Sequence, residues 1–419
     1  PETSVYMNLA ISALRYPDKP ALVFHGREIS YRELREEVDT LAGYLQHKCG
    51  VKRGDRVLLH MQNSPQFIVA FYAILRADAV VVPVNPMLLT EELRHTIEDS
   101  GAELALSAQD LLTQLQPLMQ QTCLRRVIVA CYADYLGEAA RDTQDAPAWV
   151  TAARATLNEA GFTPWHQVMD AACAPNDSVA GSDDLACMPY TSGTTGRPKG
   201  CMHTHRSLMF NAVSGAIWAG GSSPDHVLLL SLPLFHVTGM QISMNAAIYS
   251  GATLIIMPRW DRNVAGRLIT RYKVTGWTSI PTMMIDFLSN PHLSEYDISS
   301  LRRVSGGGAA MPAAIAQKLL DMTGLRYMEG YGLSETIATS HSNPVQRLKQ
   351  QCLGVPIFNV DSRIIDPETM RELPPNEVGE IIIHGPQVFA GYWRDEQKTR
   401  EAFIEFDGKS FFRSGDLGY

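Results

Sequence analysis

The sequence lacks any apolar run that approaches the length of a membrane-spanning helix, which takes about 20 consecutive apolar residues. No secretory signal pattern precedes its first predicted helix either. We therefore expect a protein without an integral membrane segment, located in the cytoplasm.

Positive charge is not in excess. The chain carries 36 lysines and arginines against 44 aspartates and glutamates, a formal net charge of −8. Surfaces that bind nucleic acids or anionic membranes are instead rich in basic residues. The composition therefore argues against a nucleic-acid partner.

Cysteine is scarce and lacks the spacing of a zinc site. The seven cysteines are scattered, with no C-x-x-C pair, so we expect free thiols in a reducing compartment. His203 and His205 are close to Cys201 in the chain but have no neighbouring carboxylate. We predict that both histidines lie on a strand surface and bind no metal.

Strand and helix patterns alternate along most of the 419 residues, which predicts mostly parallel sheets covered by helices. We predict an α/β fold with two doubly wound sheet-and-helix subdomains, at 1–184 and 185–351, and a small β-barrel-like subdomain at 352–419. Residues 131–184 interrupt the alternation, and we predict a surface excursion there with one helical patch at 149–160.

Local signals predict several helix boundaries. Ser30 and Glu33 match a capping box, and Ser64-Pro65 matches a serine cap followed by a proline in the first turn. Gly324 stands where a helix C-terminal glycine belongs.

The stretch at 190–200 reads Tyr-Thr-Ser-Gly-Thr-Thr-Gly-Arg-Pro-Lys-Gly. Glycines let backbone N–H groups turn toward an anion, hydroxyls add donors, and lysine adds a compact positive charge. We interpret it as a polyphosphate-binding loop in preference to a plain Ser/Thr/Gly turn. It differs from the P-loop of kinases and GTPases, because Pro198 precedes Lys199 and favours an exit as a strand.

This stretch resembles, nearly letter for letter, the signature of the adenylate-forming superfamily, which includes acyl-CoA synthetases, peptide-synthetase adenylation domains and luciferases. Four further stretches fit the same family in the family's order. They are Leu-Pro-Leu-Phe-His-Val-Thr-Gly at 232–239, Ser-Gly-Gly-Gly-Ala-Ala-Met-Pro at 305–312, Glu-Gly-Tyr-Gly-Leu-Ser-Glu at 329–335 and Phe-Arg-Ser-Gly-Asp-Leu-Gly at 412–418. The resemblance implies the large N-terminal domain of that fold, in the acyl-CoA synthetase branch.

The resemblance implies a site for ATP and Mg²⁺, with His236, Lys199 and Glu335 as the catalytic residues. His236 would contact the substrate carboxylate, Lys199 the β- and γ-phosphates, and Glu335 and Thr194 the Mg²⁺. The other implied ATP contacts are Thr191, Ser192, Gly193, Thr195 and Gly196 in the loop, Gly307, Gly308 and Ala309 beside the adenine, Glu329, Gly330, Tyr331, Gly332 and Ser334 in the next motif, and Asp416 at the ribose.

The chemistry of these residue types agrees with the implied roles. Tyr331 can present an aromatic face to adenine, and a carboxylate such as Asp416 can accept from both ribose hydroxyls. Amino-acid-activating relatives carry an aspartate where this chain has His236, so the resemblance implies a plain carboxylic acid as substrate.

The implied reaction is ATP-dependent conversion of the acid to an acyl-adenylate and then, with CoA as co-substrate, to an acyl-CoA. Methionines adapt to elongated chains, so the apolar residues near the expected acyl pocket favour a medium- or long-chain fatty acid, although each also fits an ordinary core position. These residues are Met240, Met244, Trp277, Met283 and Met284. An aryl acid such as a benzoate or cinnamate, a nucleotide- or acyl-adenylate-binding module, and a homodimer are left open.

The family continues beyond the motif at 412–418 with a hinge and a small C-terminal domain. That domain carries the lysine for adenylation and most of the CoA tunnel. Since this chain does not contain it, we expect binding of ATP or acyl-adenylate with little adenylation and essentially no thioester formation.

Overall fold

The computed structural model describes residues 2–137, 146–191, 197–218 and 221–419. The strands are β1 (Pro20–Phe24), β2 (Arg27–Ser30), β3 (Arg56–His60), β4 (Val80–Pro83), β5 (Leu104–Ala108), β6 (Arg126–Ala130), β7 (Phe162–Pro164), β8 (Leu185–Cys187), β9 (Tyr190–Thr191), β10 (Lys199–Gly200), β11 (His203–Thr204), β12 (Val227–Leu230), β13 (Thr253–Ile256), β14 (Gly276–Ser279), β15 (Arg303–Gly306), β16 (Tyr327–Leu333), β17 (Ala338–Ser342), β18 (Val355–Pro356), β19 (Asp361–Ile365), β20 (Gly379–His384), β21 (Phe403–Phe406) and β22 (Lys409–Gly418).

The α-helices are α1 (Tyr6–Arg15), α2 (Tyr31–His47), α3 (Pro65–Arg76), α4 (Thr90–Ser100), α5 (Leu112–Leu115), α6 (Leu118–Gln121), α7 (Ala148–Thr151), α8 (Trp165–Asp170), α9 (His205–Trp218), α10 (Ala246–Ser250), α11 (Arg262–Tyr272), α12 (Pro281–Leu288), α13 (Ala313–Thr323) and α14 (Glu396–Ala402). A π-helix at Gly239–Asn245 leads directly into α10.

The larger sheet contains nine of the described strands, in the order β18-β17-β16-β15-β14-β12-β13-β1-β2. Neighbouring strands from β16 to β1 are parallel. Successive side chains of β13 pack into different apolar cores, with Leu254 on one face of the sheet and Ile255 on the other. A parallel sheet buried on both faces requires this continuous apolar sequence.

The second sheet contains seven described strands, in the order β11-β8-β4-β3-β5-β6-β7, and a third, antiparallel sheet has the order β19-β20-β22-β21. These sheets confirm the predicted α/β class. The small third sheet corresponds to the predicted C-terminal β region. Within the described residues, no helix is long and apolar enough to span a membrane.

Each of the two large sheets contains strands from both sides of residue 184 in the chain. β1 and β2 join the nine-stranded sheet, whereas β8 and β11 join the seven-stranded sheet. One apolar core touches both sheets and includes Leu22, Leu59 and Leu254. The predicted subdomain boundary at residue 184 therefore does not separate one sheet from the other.

Part of the predicted excursion at 131–184 is integral to the fold. β7 pairs with β6, and Trp165 at the start of α8 is 2% exposed, with its indole N–H donating to Tyr135. The predicted helix at 149–160 is wrong beyond Thr151, where α7 ends. The Gln109 side chain bonds the backbone of residues 153 and 155 instead, which holds this segment in a non-helical conformation.

The predicted helix starts are confirmed. Ser64 Oγ accepts from Phe67 N at 3.1 Å, and Ser30 Oγ accepts from Glu33 N at 3.1 Å. The capping box at Ser30 is only half formed, because Glu33 instead accepts from the Arg27 guanidinium at 2.8 Å. A charged donor makes a stronger hydrogen bond than a backbone N–H.

The prediction that His203 and His205 lie on a strand surface is wrong, since both are buried. His205 Nδ1 accepts from Val5 N at 3.1 Å, a partner 200 residues away. Burial lowers the pKa of His205 to about 4. Because a histidine in an unfolded chain has a pKa of about 6.5, its contribution to stability is present above that pH and is lost as the pH falls toward 4.

Replacing His205 by Asn, whose side-chain oxygen can accept from Val5 N, should therefore flatten the pH dependence of stability. Between pH 7.5 and pH 5, the wild type should lose about 2 kcal/mol more unfolding free energy than the variant. Urea unfolding at both pH values measures the difference, with the exposed His292→Asn as the control. Parallel losses in wild type and His205→Asn would contradict the proposed effect of burial.

Candidate active site

A cavity of about 300 Å³ lies where β14, β15 and β16 end. Carboxyl ends of parallel strands are the usual position of ligand sites in α/β folds. The cavity brings together three of the predicted motifs, at 232–239, 305–312 and 329–335. The lining includes Thr278, Ser305, Gly307, Gly308, Met328, Gly330 and Gly332 on the sheet side, Ser214, Gly215, Trp218, Ile242 and Ala246 on the helix side, and His236, Tyr331 and Ser334 at the mouth.

Glycines let the strand ends approach one another. A Cβ on Gly307 would lie 2.5 Å from the Gly330 oxygen, and a Cβ on Gly332 would lie 1.5 Å from the Ala338 oxygen. Both distances are far below van der Waals contact, so these positions exclude side chains. The result is a flat backbone surface on which a planar ligand group can lie.

His236 lies in a turn between β12 and the π-helix. Thr238 N donates to His236 Nδ1 at 3.3 Å, which leaves the proton of a neutral ring on Nε2. Desolvation by the surrounding protein lowers the pKa of His236, although the ring remains open to the cavity. The neutral imidazole can therefore donate from Nε2 to an oxygen of a bound ligand.

Asn63 fixes the loop that carries His236. Its side chain donates to the Leu232 oxygen at 2.9 Å and accepts from Leu234 N at 2.8 Å. Asn63 is buried and follows β3 of the seven-stranded sheet, whereas the loop follows β12 of the nine-stranded sheet. The position of His236 thus depends on both sheets.

A second cavity, of about 620 Å³, meets the first at His236. The end of β4 in the seven-stranded sheet, α4, and the residues on either side of 192–196 surround it. Its lining includes Val84, Leu88, Glu91, His95, Tyr190, Arg197, Pro198, Phe235, His236, Val237 and Ser334. The last three side chains line both cavities.

The motifs at 329–335 and 412–418 meet through Tyr331 and Asp416. The Tyr331 hydroxyl donates to the Asp416 carboxylate at 2.6 Å, and burial, followed by this carboxylate, raises the pKa of Tyr331. Tyr331 also lines the cavity, whereas Asp416 is exposed. An aromatic ring beside an accessible carboxylate has the chemistry to contact a base and a ribose.

The turn at Ser334–Thr336 is fixed by residues from other parts of the fold. His203 Nε2 lies 2.7 Å from the backbone oxygen of Ser334. Phe389 N donates to the backbone oxygen of Glu335 at 2.8 Å. His203 belongs to β11 of the seven-stranded sheet, and Phe389 packs with Phe412 of the third sheet. The backbone of this turn is therefore held from two sides.

The residues after this turn have unusual backbone angles. Ile337 has φ 43° and Ala338 has φ 89°, and a left-handed β-branched residue is costly. Asn211 offsets the cost, since its amide donates to the oxygens of Thr336 at 3.1 Å and Ile337 at 2.9 Å. The strain lies directly beside the predicted catalytic Glu335.

Lys199 and Glu335 are linked by Tyr392. The Lys199 ammonium lies 5.0 Å from the centre of the Tyr392 ring, and the Tyr392 hydroxyl donates to Glu335 Oε1 at 2.9 Å. Lys199 pairs with Thr191 in the β9–β10 ladder, which confirms the predicted strand exit. Opposite charges thus flank the loop, whose residues Ser192, Gly193, Thr194, Thr195 and Gly196 lie outside the described residues.

Five of the described residues that were predicted to contact the nucleotide do not line the first cavity: Thr191, Lys199, Ala309, Glu329 and Asp416. Glu329 is 4% exposed, and its two carboxylate oxygens accept from Met311 N and Gln351 N. It supports the backbone on either side of the site. Ala309 is exposed beyond Gly308. Their contacts with ATP remain predictions.

The methionines and tryptophan that were assigned to the acyl pocket belong to the core. None of the five lines either cavity. Met240 and Met244 pack into one apolar core, and Trp277, Met283 and Met284 pack into the other. The ordinary core interpretation is therefore correct for these residues, and they carry no information about the substrate.

Sequence reasoning missed Asn63, Asn211 and Tyr392. Their hydrogen bonds to the site join residues that are 57, 126 and 171 positions apart in the chain. No spacing rule in the sequence therefore connects these three residues with the site. The burial of Asn63 and Asn211 becomes informative only with the structure, because a buried amide must find hydrogen-bond partners.

The arrangement of sheets is the fold of the large N-terminal domain of adenylate-forming enzymes. The chain belongs to the family described as AMP-binding enzyme, whose match covers residues 9–393.

Three known proteins illustrate the similarity. A long-chain-fatty-acid–CoA ligase of Bacillus subtilis (strain 168) is 31% identical over 425 residues, 100% of this chain and 75% of that protein. The structure of a long-chain-fatty-acid–CoA ligase from Archaeoglobus fulgidus is similar with a TM-score of 0.86 and 28% identity, over 100% of this chain and 82% of that one. ATP-bound MatB from Rhodopseudomonas palustris is similar with a TM-score of 0.84 and 27% identity, over 100% and 76% of the two chains.

Replacing Glu335 by Gln should remove most of the Mg²⁺ dependence of ATP binding. The variant keeps the size of the side chain and an oxygen for the Tyr392 hydroxyl but loses the charge, so ATP affinity in Mg²⁺ should fall about tenfold or more. Calorimetric titrations with Mg²⁺ and with EDTA measure this, with the exposed Glu377→Gln as the control. Equal Mg²⁺ dependence in Glu335→Gln and wild type would refute the assignment.

Proposed function

We propose that this chain provides the site at which ATP activates a carboxylic acid as an acyl-adenylate, whose acyl group is then transferred to CoA. One observation carries the proposal: a single cavity joins His236, the glycine-lined strand ends, Tyr331 and Ser334. Membership of the AMP-binding enzyme family and the names of its relatives support the same reaction. A plain nucleotide-binding module would not need an apolar extension beside the nucleotide.

The described residues have chemistry suited to ATP. Tyr331 would lie against the adenine, Asp416 would accept from the ribose hydroxyls, and Lys199 would contact the β- and γ-phosphates. Glu335 would hold Mg²⁺ through oxygen, as this cation prefers. When bound, Mg²⁺ neutralises charge on the leaving pyrophosphate.

In the first reaction, a carboxylate oxygen attacks the α-phosphorus of ATP, and the bond to pyrophosphate breaks. His236 Nε2–H would donate to the other carboxylate oxygen and orient the attack. The protein contributes alignment and charge stabilisation rather than a covalent bond. The Asn63 contacts keep the histidine in place during this step.

In the second reaction, the CoA thiol sulfur attacks the acyl carbonyl, a proton leaves the sulfur, and AMP departs. The second cavity supports this step, because it reaches the first cavity at His236, Val237 and Ser334. It offers the thiol a route to the carbonyl that does not cross the nucleotide.

The size of the first cavity favours a small or medium acid. Its volume of about 300 Å³ is at the low end of small-molecule sites, which span roughly 300–1,000 Å³. Apolar walls at Trp218, Ile242 and Ala246 suit an aliphatic chain. A medium-length acid therefore fits better than a long fatty acid.

Octanoyl sulfamoyladenosine, a stable mimic of an acyl-adenylate, should bind at least about 100-fold more tightly than AMP, because it fills the acid and nucleotide portions together. His236→Ala should weaken binding of the mimic more than binding of AMP. Calorimetry on the chain measures both affinities, with the exposed His292→Ala as the control. Equal affinity for the mimic and AMP would refute acid activation.

A further inference from the structure

A third cavity, of about 470 Å³, lies at the amino ends of three neighbouring parallel strands, β3, β5 and β6. Its lining includes the first residue of each strand, Arg56, Leu104 and Arg126. The second cavity is at the opposite edge of the same sheet, where Pro83 ends β4. We propose that the third cavity binds a phosphorylated sugar or polyol. This inference goes beyond the proposed function and does not depend on it.

Basic side chains outnumber acidic ones in the lining of this cavity. The basic residues are Lys52, Arg56, Arg125 and Arg126, and the acidic residues are Asp55 and Glu103. None of the four cations forms an ion pair with another residue that the structure describes. Cations at close quarters repel one another, so their convergence from three separate segments favours a site for an anion.

Backbone oxygens orient the three arginines without neutralising them. The acceptors are the oxygens of Gly54 and Ser100 for Arg56, of Thr122 and Leu124 for Arg125, and of Lys48 for Arg126. A guanidinium has five N–H donors, and at most two on each arginine are used in these bonds. Each arginine therefore keeps its charge and further donors. Guanidinium groups with such donors are well suited to phosphate oxygens.

The net charge of the lining matches one phosphate group. The Cys49 thiol lies in the lining beside Arg126, and burial raises its pKa although the guanidinium lowers it. The thiol is therefore uncharged at neutral pH and leaves the charge of Arg126 uncompensated. Four basic and two acidic side chains then give a net charge of +2. A phosphate monoester carries about −1.5 to −2 at pH 7.

The two carboxylates favour a ligand with hydroxyl groups. Asp55 Oδ2 accepts from Lys52 N at 2.9 Å, and Glu103 is exposed. A carboxylate has about four lone-pair positions, so both can also accept from ligand hydroxyls. No aromatic side chain is present among the described residues that line this cavity, so a nucleotide base would find no stacking partner. A phosphorylated sugar or polyol fits both features.

Calorimetric titration of the chain with glucose 6-phosphate, glucose and inorganic phosphate tests the class of ligand. Glucose 6-phosphate should bind at least about tenfold more tightly than glucose, because charge-assisted hydrogen bonds to the phosphate are lost in glucose. It should also bind more tightly than inorganic phosphate, which lacks the hydroxyls. No detectable binding of glucose 6-phosphate, or affinity equal to that of either other probe, overturns the inference.

Three variants test the location of the phosphate. Arg126→Met and Lys52→Met remove one charge each, so both should weaken glucose 6-phosphate binding about tenfold or more. Lys52 Nζ has no hydrogen-bond partner among the described residues, so its loss should leave folding intact even if Arg126→Met does not fold. Lys48→Met is the matched control, since Lys48 is exposed and outside the lining. Unchanged affinity in either charge variant, once shown to be folded, overturns the inference.

The Cys49 thiol provides a second, local readout. Saturating glucose 6-phosphate should slow the labelling of Cys49 by iodoacetamide, because the ligand covers the thiol in the cavity. Labelling of Cys352, which is also partly exposed but outside this lining, should be unaffected. Mass spectrometry measures both rates. Equal rates at Cys49 with and without the ligand would place the binding elsewhere and overturn the inference.

Discussion

The turn at Ser334–Thr336 is the point on which the site depends, because it continues one sheet and is hydrogen-bonded by residues from two other parts of the fold. It follows β16 of the nine-stranded sheet, His203 bonds it from the seven-stranded sheet, and Phe389 bonds it from the region of the third sheet. The strained backbone of Ile337 persists only because these contacts and Asn211 determine it. Glu335 is therefore positioned by the assembly of the fold rather than by its own strand.

The same principle applies to His236. Its turn follows one sheet, but Asn63 from the other sheet holds the backbone on its N-terminal side. Two catalytic candidates on different loops are thus placed by contacts between sheets. Such support from rigid elements is what alignment of two reacting molecules requires. The cavity between these loops then determines which acid can be aligned.

Much of the fold could be predicted from sequence, because its signals are local. Serine caps, apolar strand runs and the five motifs each depend on residues close together in the chain, and Ser64 caps its helix as expected. The candidate site was predictable only as a set of motifs. His205 is hydrogen-bonded to Val5, and the loop that carries His236 is hydrogen-bonded to Asn63. No local pattern contains such pairings.

The most direct measurement of the central claim is a crystal structure of the chain with octanoyl sulfamoyladenosine bound. We predict that the adenine lies against Tyr331, the ribose hydroxyls at Asp416, the acyl carbonyl near His236, and the octanoyl chain past Thr278 and Ser305. An acyl chain that leaves through the second cavity, or a nucleotide bound away from Tyr331, would contradict it.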